Sequence, residues 1–276
     1  MIARLTLAAL CALMLLVALR FEPRRGRTLL AARAPGGATL RLMTWNIGYA
    51  ELEDDTRAHT KDLKKVAETI LANEPDAVAL QELTGDEQLK ILLAHLRGRY
   101  RGGAASKAAG ADRVEAVLVK DAAARFDEVP GGEKSALAAT FRPRPGSVEI
   151  VLVSAHADAF SAARRRAYTE RVVDWARARP AGQLVCVAGD FNFELGAGDE
   201  SHLYTDDLKH DSESYSYILK FFRDLGRDAG DTAINDRRID YVFAPAEGVT
   251  LRRAEVLGGA VVGRMDHSPL LVEVSL

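Results

Sequence analysis

Cysteine is nearly missing from this chain. Only Cys11 and Cys186 occur among 276 residues, one in an N-terminal apolar run and one in a central apolar stretch. No disulfide framework can rest on that pair, and Cys186 reads as a small buried hydrophobe. The six histidines are scattered, so no zinc-ligand spacing appears either. Aromatic residues make up 7% of the chain and are not interleaved with basic residues at any strand end, which argues against a stacking surface for nucleic acid. An excess of positive charge is missing as well. Six of the 37 basic residues and one of the 39 acidic residues precede Leu40, which leaves 31 basic and 38 acidic residues, a charge of −7, on the remainder. Affinity for a long polyanion comes from Lys and Arg neutralising phosphates. The balance therefore tilts away from such a partner, while a local basic patch stays open. No internal repeat is visible.

What is present is globular in composition, 48% hydrophobic and 28% charged, and long enough for one large domain or two small ones. The only long apolar run is Leu5–Leu19, broken by Thr6 and flanked by Arg4 and Arg20. It reads as a signal-peptide core or a short membrane anchor. No small-residue cleavage site follows it directly, which favours an uncleaved anchor over a cleaved signal; a buried N-terminal helix is the third reading. The basic cluster Arg20–Arg27 would hold the body in the cytoplasm by the positive-inside rule, and export is the alternative. Residues 1–20 are thus expected to be the signal or anchor, residues 21–38 an Arg-, Pro- and Gly-rich linker, and residues 39–276 one folded domain, expected to be monomeric.

Within that domain, apolar alternation and short apolar runs predict strands at Leu40–Ile47, Ala77–Leu80, Val114–Val119, Ala136–Phe141, Val148–Ser154, Leu184–Val187, Arg238–Phe243, Val249–Val256 and Leu270–Val274. Helical spacing predicts Lys61–Asn73, Asp86–Leu96, Ala162–Ala178 and Tyr217–Leu225. Gly98–Gly110 and Gly196–Ser216 read as loops. This strand-rich pattern supports two sheets, expected to pair the chain before and after about Gly146.

Polar residues recur where the strands end. The central stretch QLVCVAGDFNF closes on Asp190 and Asn192 after the small pair Ala188-Gly189, which would let backbone approach a ligand. Residues two apart in extended chain share a face, so a carboxylate and an amide would project together; a plain turn is the competing reading. Asn46, Glu82, His156, Asp240 and Asp266-His267 stand at other strand ends. An acid beside an apolar strand needs a partner or a metal. Carboxylates, amides and imidazoles together suit magnesium or manganese with phosphate binders, not a thiolate site.

The motifs TWNI (Thr44–Ile47), LQE (Leu80–Glu82), SAH (Ser154–His156), GDFN (Gly189–Asn192), RIDYVF (Arg238–Phe243) and MDHSPL (Met265–Leu270) occur in that order. In this the chain resembles the endonuclease/exonuclease/phosphatase superfamily, which includes deoxyribonucleases, apurinic endonucleases, neutral sphingomyelinases and inositol polyphosphate 5-phosphatases. The resemblance implies a four-layer α-β-β-α sandwich of two mostly antiparallel sheets and a phosphoester hydrolase dependent on Mg2+ or Mn2+. It also implies roles: Glu82 as main metal ligand with Asn46 and Asp266 beside it, and Asp190 to hold and deprotonate the attacking water. Asn192 would orient phosphate or water, His156 and His267 would donate to phosphate oxygens as imidazolium-type groups, and Asp240 would fix the His267 ring. Asp240 has a structural alternative, a salt bridge to Arg237 or Arg238. Asp158 reads either as a site residue or as a helix starter before Ser161, and Arg164–Arg166 either as phosphate-facing or as a solvated face. Trp45 and Tyr49 read as core or pocket wall. Glu115, in the segment DRVEAVLVK, is unusual at its place. One scaffold hosts several phosphoester chemistries, so lipid, small-molecule and nucleic-acid substrates all stay in view. The membrane tether and acidic body put a lipid or small phosphodiester ahead of DNA or RNA; a catalytically dead phosphate-binding module is the remaining rival.

Overall fold

Alternating side chains sort the residues of each strand into two sets, and in the central strands of this chain both sets are buried. Each sheet must then be covered on both faces. The computed structural model describes residues 38–48, 56–105, 111–132, 134–195, 208–260 and 265–276. The expectations for the N-terminal run, the linker and Tyr49 lie outside the described residues.

Strands β1 (Thr39–Asn46), β2 (Ala77–Leu83), β3 (Arg101–Ala104), β4 (Val114–Val119), β11 (Thr250–Val256) and β12 (Leu270–Ser275) form one sheet, ordered β11-β12-β1-β2-β4-β3. Strands β5 (Arg125–Glu128), β6 (Ala136–Phe141), β7 (Glu149–His156), β8 (Gln183–Asp190), β9 (Arg223–Asp224) and β10 (Asp240–Ala244) form the other, ordered β5-β6-β7-β8-β10-β9. Only β1–β2 and β7–β8 pair in parallel. Each of those pairs encloses a helix in the chain, α1 (Thr56–Asn73) in the first and α3 (Ala162–Arg177) in the second, as a parallel crossover requires. Helices α2 (Asp86–His95) and α4 (Leu208–Leu219) complete the set.

Leu40, Leu42, Ala77 and Ala79 meet Ile150, Leu152, Cys186, Ala188 and Val242 between the sheets. The opposite faces pack outward. Met43, Trp45, Val78 and Leu80 cover Leu63, Val66 and Ile70 of α1 and Leu92 of α2. Val153, Val187, Tyr241 and Phe243 cover Tyr168 and Val172 of α3 and Ile218 of α4. The result is the expected helix–sheet–sheet–helix sandwich.

Four expectations change. The sheets do not divide the chain at Gly146: β5 and β6 already belong to the second sheet, and β11 and β12 return to the first. Arg101–Ala104 is a strand and not part of a loop, because Gly102 and Gly103 are space-savers. A Cβ on them would lie 2.8 Å from the Leu118 side chain and 2.7 Å from the Phe126 ring. The short strands β5 and β9 carry no apolar alternation and gave no signal. The last helix is Leu208–Leu219 and not Tyr217–Leu225. It reads as polar because its buried contact is ionic: Asp211 receives two hydrogen bonds from Arg165, at 2.7 and 3.0 Å, with both side chains fully buried.

Candidate active site

Strand alternation brings the site together. Asn46 follows Leu42 by four residues, His156 follows Ile150 by six, Asp190 follows Ala188 by two and Asp240 precedes Val242 by two. All therefore face the space between the sheets, where they cap the inter-sheet core. In the parallel pair of the second sheet, His156 stands opposite Asp190, and in the antiparallel pair Asp240 also stands opposite Asp190. Aromatic residues on the other parity, Phe191, Phe193, Tyr241 and Phe243, pack as one cluster with ring centroids 5.3 to 6.0 Å apart. They anchor the acid-bearing strand ends from behind.

Two residues depart from strand geometry. Glu82 has φ 63° and lies where the β2–β4 register shifts between Leu80 and Leu83. A bulge re-aims a side chain, and a non-glycine residue in the left-handed region is held there only by its surroundings. Gly48 makes room for it, since a Cβ there would sit 2.3 Å from Glu82 Oε2. Asn192 has φ 52°; its N–H donates to Asp190 Oδ1 at 2.9 Å and its Nδ2 to the Ala157 carbonyl at 3.3 Å. Asp190 and Asn192 thus meet through a turn after β8, not through strand alternation, and the turn itself sets the carboxylate and the amide side by side. Gly189 serves the fold and not a ligand: at φ 148°, an added Cβ would lie 1.8 Å from the Ala155 carbonyl oxygen.

The polar network is continuous. Asn46 Nδ2 donates to Glu82 Oε1 at 3.0 Å and to Asp190 Oδ2 at 3.1 Å, while its Oδ1 accepts from Gly48 N–H. His267 Nδ1 lies 2.8 Å from Asp240 Oδ2, and its Nε2 lies 3.7 Å from Asp190 Oδ2 and 4.0 Å from Asp266 Oδ1. His156 Nε2 faces Glu82 and Asp190 at 3.8 and 3.7 Å, and its Nδ1 faces Glu115 at 3.9 Å. Thr232 Oγ1 accepts the Ile239 and Asp240 amides, and the segment around it clamps the His267 loop through Ser268 N–H to the Thr232 carbonyl and Ile234 N–H to the Asp266 carbonyl.

Burial pushes Asp190 up to about 7, helped by Asp240 and Glu82 and opposed by His267 and the Asn46 amide. For His267, burial opposes charge, but Asp240 with Asp190 and Asp266 outweighs it and holds the ring up at about 10. Burial, with Lys134 and His267 adding to it, keeps His156 well below its usual range. The two imidazoles therefore differ: His267 is a cation and His156 is neutral, where the sequence implied two imidazolium-type donors.

These groups line a cleft of about 660 Å3 that contains Glu82, His156, Asp190, Asn192, Asp266 and His267, with Asp240 behind His267. Phe160 and Ile234, 70% and 51% exposed, stand on its walls. The open alternatives resolve. Asp240 pairs with His267, because Arg237 pairs with Glu194 and Arg238 with Asp224. Asp158 lines the cleft, yet its Oδ1 accepts the Phe160 and Ser161 amides, and Ser161 is the α3 N-cap. Of the arginine run, Arg165 is buried on Asp211, Arg166 pairs with Glu170 and Glu213, and Arg164 is exposed. Trp45 is core, its Nε1 donating to the His267 carbonyl. Glu115 had no role in the sequence reading. Its signal was a carboxylate inside VEAVLV, a strand buried at every position; burial lifts it to about 7 against the Ser135 hydroxyl that donates to it.

A family model described as the Endonuclease/Exonuclease/phosphatase family matches residues 43–262. The chain belongs to this family. Among solved structures, an endonuclease/exonuclease/phosphatase from Bacteroides vulgatus is similar over 87% of this chain and 99% of its own, at 18% identity and TM-score 0.68. A family protein from Beutenbergia cavernae matches over 86% and 72% at 23% identity and TM-score 0.64. The human Nocturnin catalytic domain, with a bound sulfate anion, matches over 91% and 97% at 19% identity and TM-score 0.62. These likenesses establish the fold. No curated protein matches at a significant level.

The donor set fits a divalent cation. Ligand atoms of Asp190, Asp240 and His267 lie within 4.8 Å of one another, and Asp240 Oδ1 is buried without a hydrogen-bond partner. His267 Nδ1 is already engaged by Asp240, and both Asp190 oxygens and Glu82 Oε1 accept hydrogen bonds, so Glu82 Oε2 and Asp266, which line the cleft, are the freer donors. Hard oxygen ligands suit magnesium or manganese.

Proposed function

We propose that this chain is a magnesium- or manganese-dependent phosphoester hydrolase acting on a small or lipid-borne phosphodiester. The observation that carries the reading is the convergence of six strand-end motifs on one cleft, with one charged and one neutral imidazole around a near-neutral carboxylate. Glu82, with Asn46 and Asp266 beside it, would hold the ion, which when bound supplies charge compensation at the phosphate and lowers the pKa of water. Asp190, poised near neutrality, accepts the proton of the attacking water, as suits a general base; Asn192 orients that water or the phosphate. His267, kept cationic and fixed by Asp240, donates from Nε2 to a non-bridging oxygen where charge grows. His156 donates from its cleft-facing Nε2. The acidic body and the exposed Phe160 and Ile234 on the cleft walls favour a compact ester with an apolar portion over a long polyanion. Nucleic acid is the second reading, favoured by Lys134 and the ion-paired Arg113 and Arg237 along the cleft.

The test is a turnover screen of the full chain in detergent with magnesium, over bis(p-nitrophenyl) phosphate, sphingomyelin, inositol phosphates, RNA and plasmid DNA. Metal-dependent turnover of a non-nucleic ester is expected, lost in chelator and in Glu82→Gln and Asp190→Asn. Activity that persists in chelator sinks the reading; plasmid nicking alone reverses the order of substrates.

A further inference from the structure

A second cavity, of about 430 Å3, adjoins the active cleft and shares Lys134 and Asp158 with it. Its other walls are Gly132 and one face of α3: Arg164, Ala167, Tyr168 and Arg171. Among the described residues, three cations meet there with one carboxylate, in a body whose net charge is −7. Asp158 is largely spent on the fold, since its Oδ1 accepts two backbone amides, and Arg164 reaches its Oδ2 only at 3.7 Å. Arg171 is fixed: it donates to the carbonyls of Val129, Pro130 and Lys134 and lies 4.9 Å over the Tyr168 ring. These described partners are neutral carbonyls, which do not cancel its charge. Lys134 Nζ donates to the Ala157 carbonyl at 2.9 Å, which sets the ammonium on the wall between the two cavities. This is the local basic patch that an acidic composition left open.

We propose that this cavity is a second anion subsite, which takes a phosphate carried on the alcohol portion of a substrate whose scissile phosphate lies in the cleft. The assignment rests on the phosphoesterase reading and narrows it to small esters bearing two phosphates. Arg171 supplies a preorganised charge, Lys134 serves both phosphates, and exposed Arg164 swings onto the second. Linking the two phosphates makes the second contact intramolecular, so the gain depends on linker length.

The experiment is calorimetric binding to the full chain in detergent with magnesium. The probes are alkanediol bisphosphates of about three to about eight carbons, each against its alkyl monophosphate. At one length the bisphosphate should bind about tenfold more tightly, and the advantage should shrink as salt rises. Arg171→Gln should bring the ratio to about one, while Arg164→Gln should lower it part of the way and Arg164→Glu further. Equal affinities at every length, or an advantage that survives undiminished in the Arg171 and Arg164 variants, overturn the subsite. Failure of the parent reading is a separate result, the absence of metal-dependent turnover of any phosphoester.

Discussion

Glu115→Gln should stabilise the protein at alkaline pH and slow it as an enzyme. Glu115 is 3% exposed in a strand with no exposed residue. Burial raises its carboxyl from 4.5 to about 7. The folded state therefore holds this proton more tightly than the unfolded chain does. The contribution is fully present below about pH 4.5 and is lost as pH rises through 7. At about 1.4 kcal/mol per pKa unit, the loss by pH 8 is about 3 kcal/mol. Glutamine keeps the shape, and its carbonyl still accepts the Ser135 hydroxyl. Urea denaturation of the full chain and the variant at pH 5 and pH 8, in chelator, reads the difference. Near-equal stability is expected at pH 5 and an advantage of about 3 kcal/mol for the variant at pH 8. Asp190, His156 and His267 titrate too, but in both proteins, so they cancel in the comparison. Parallel pH profiles for the two proteins would refute the argument. Turnover should fall about tenfold, because Glu115 packs 3.9 Å from His156 Nδ1 and its replacement changes what sets the orientation of that ring; gain in stability with loss of function is a common trade at a functional site.

Asp240→Asn removes the main support of the His267 charge. The alkaline limb of kcat/KM against pH should move from near 10 toward the ordinary histidine range, since activity requiring the cation is lost as pH rises through its pKa; an unmoved limb disconnects Asp240 from the chemistry. Gly189→Ala forces a Cβ to within 1.8 Å of the Ala155 carbonyl oxygen and should cost more than about 4 kcal/mol, read as loss of soluble folded protein or a collapsed Tm. A normal Tm would contradict the observed strand approach. Residues 1–20 are proposed to tether the chain: the full chain should sediment with membranes and the deletion variant should not, and equal partition of the two ends that proposal.

The site was legible in the sequence to the extent that it obeys a period of two. Asn46, His156, Asp190 and Asp240 carry the parity of the inter-sheet core residues before or after them, so strand alternation alone places them on one side of each sheet. What escaped has partners far along the chain and no local pattern. Asp211 looks like part of a polar loop until Arg165 is seen buried against it, and Gly102 looks mobile until Leu118 fills the space its side chain would need. Glu82 and Asn192 break the alternation with left-handed backbone, so their aim could be inferred only from the motif. The charge states were the least legible of all. Two histidines of the same type, at two strand ends, become a cation and a neutral ring because burial governs His156, with Lys134 and the charged His267 adding to it, whereas at His267 the same burial is outweighed by Asp240 with Asp190 and Asp266. That asymmetry bears on the proposed mechanism: a site with two cations would hold an anionic product tightly, whereas a neutral His156 beside Glu82 and Asp190 leaves His267 as the one charged imidazole facing those carboxylates, which would leave room for the charge of a divalent ion.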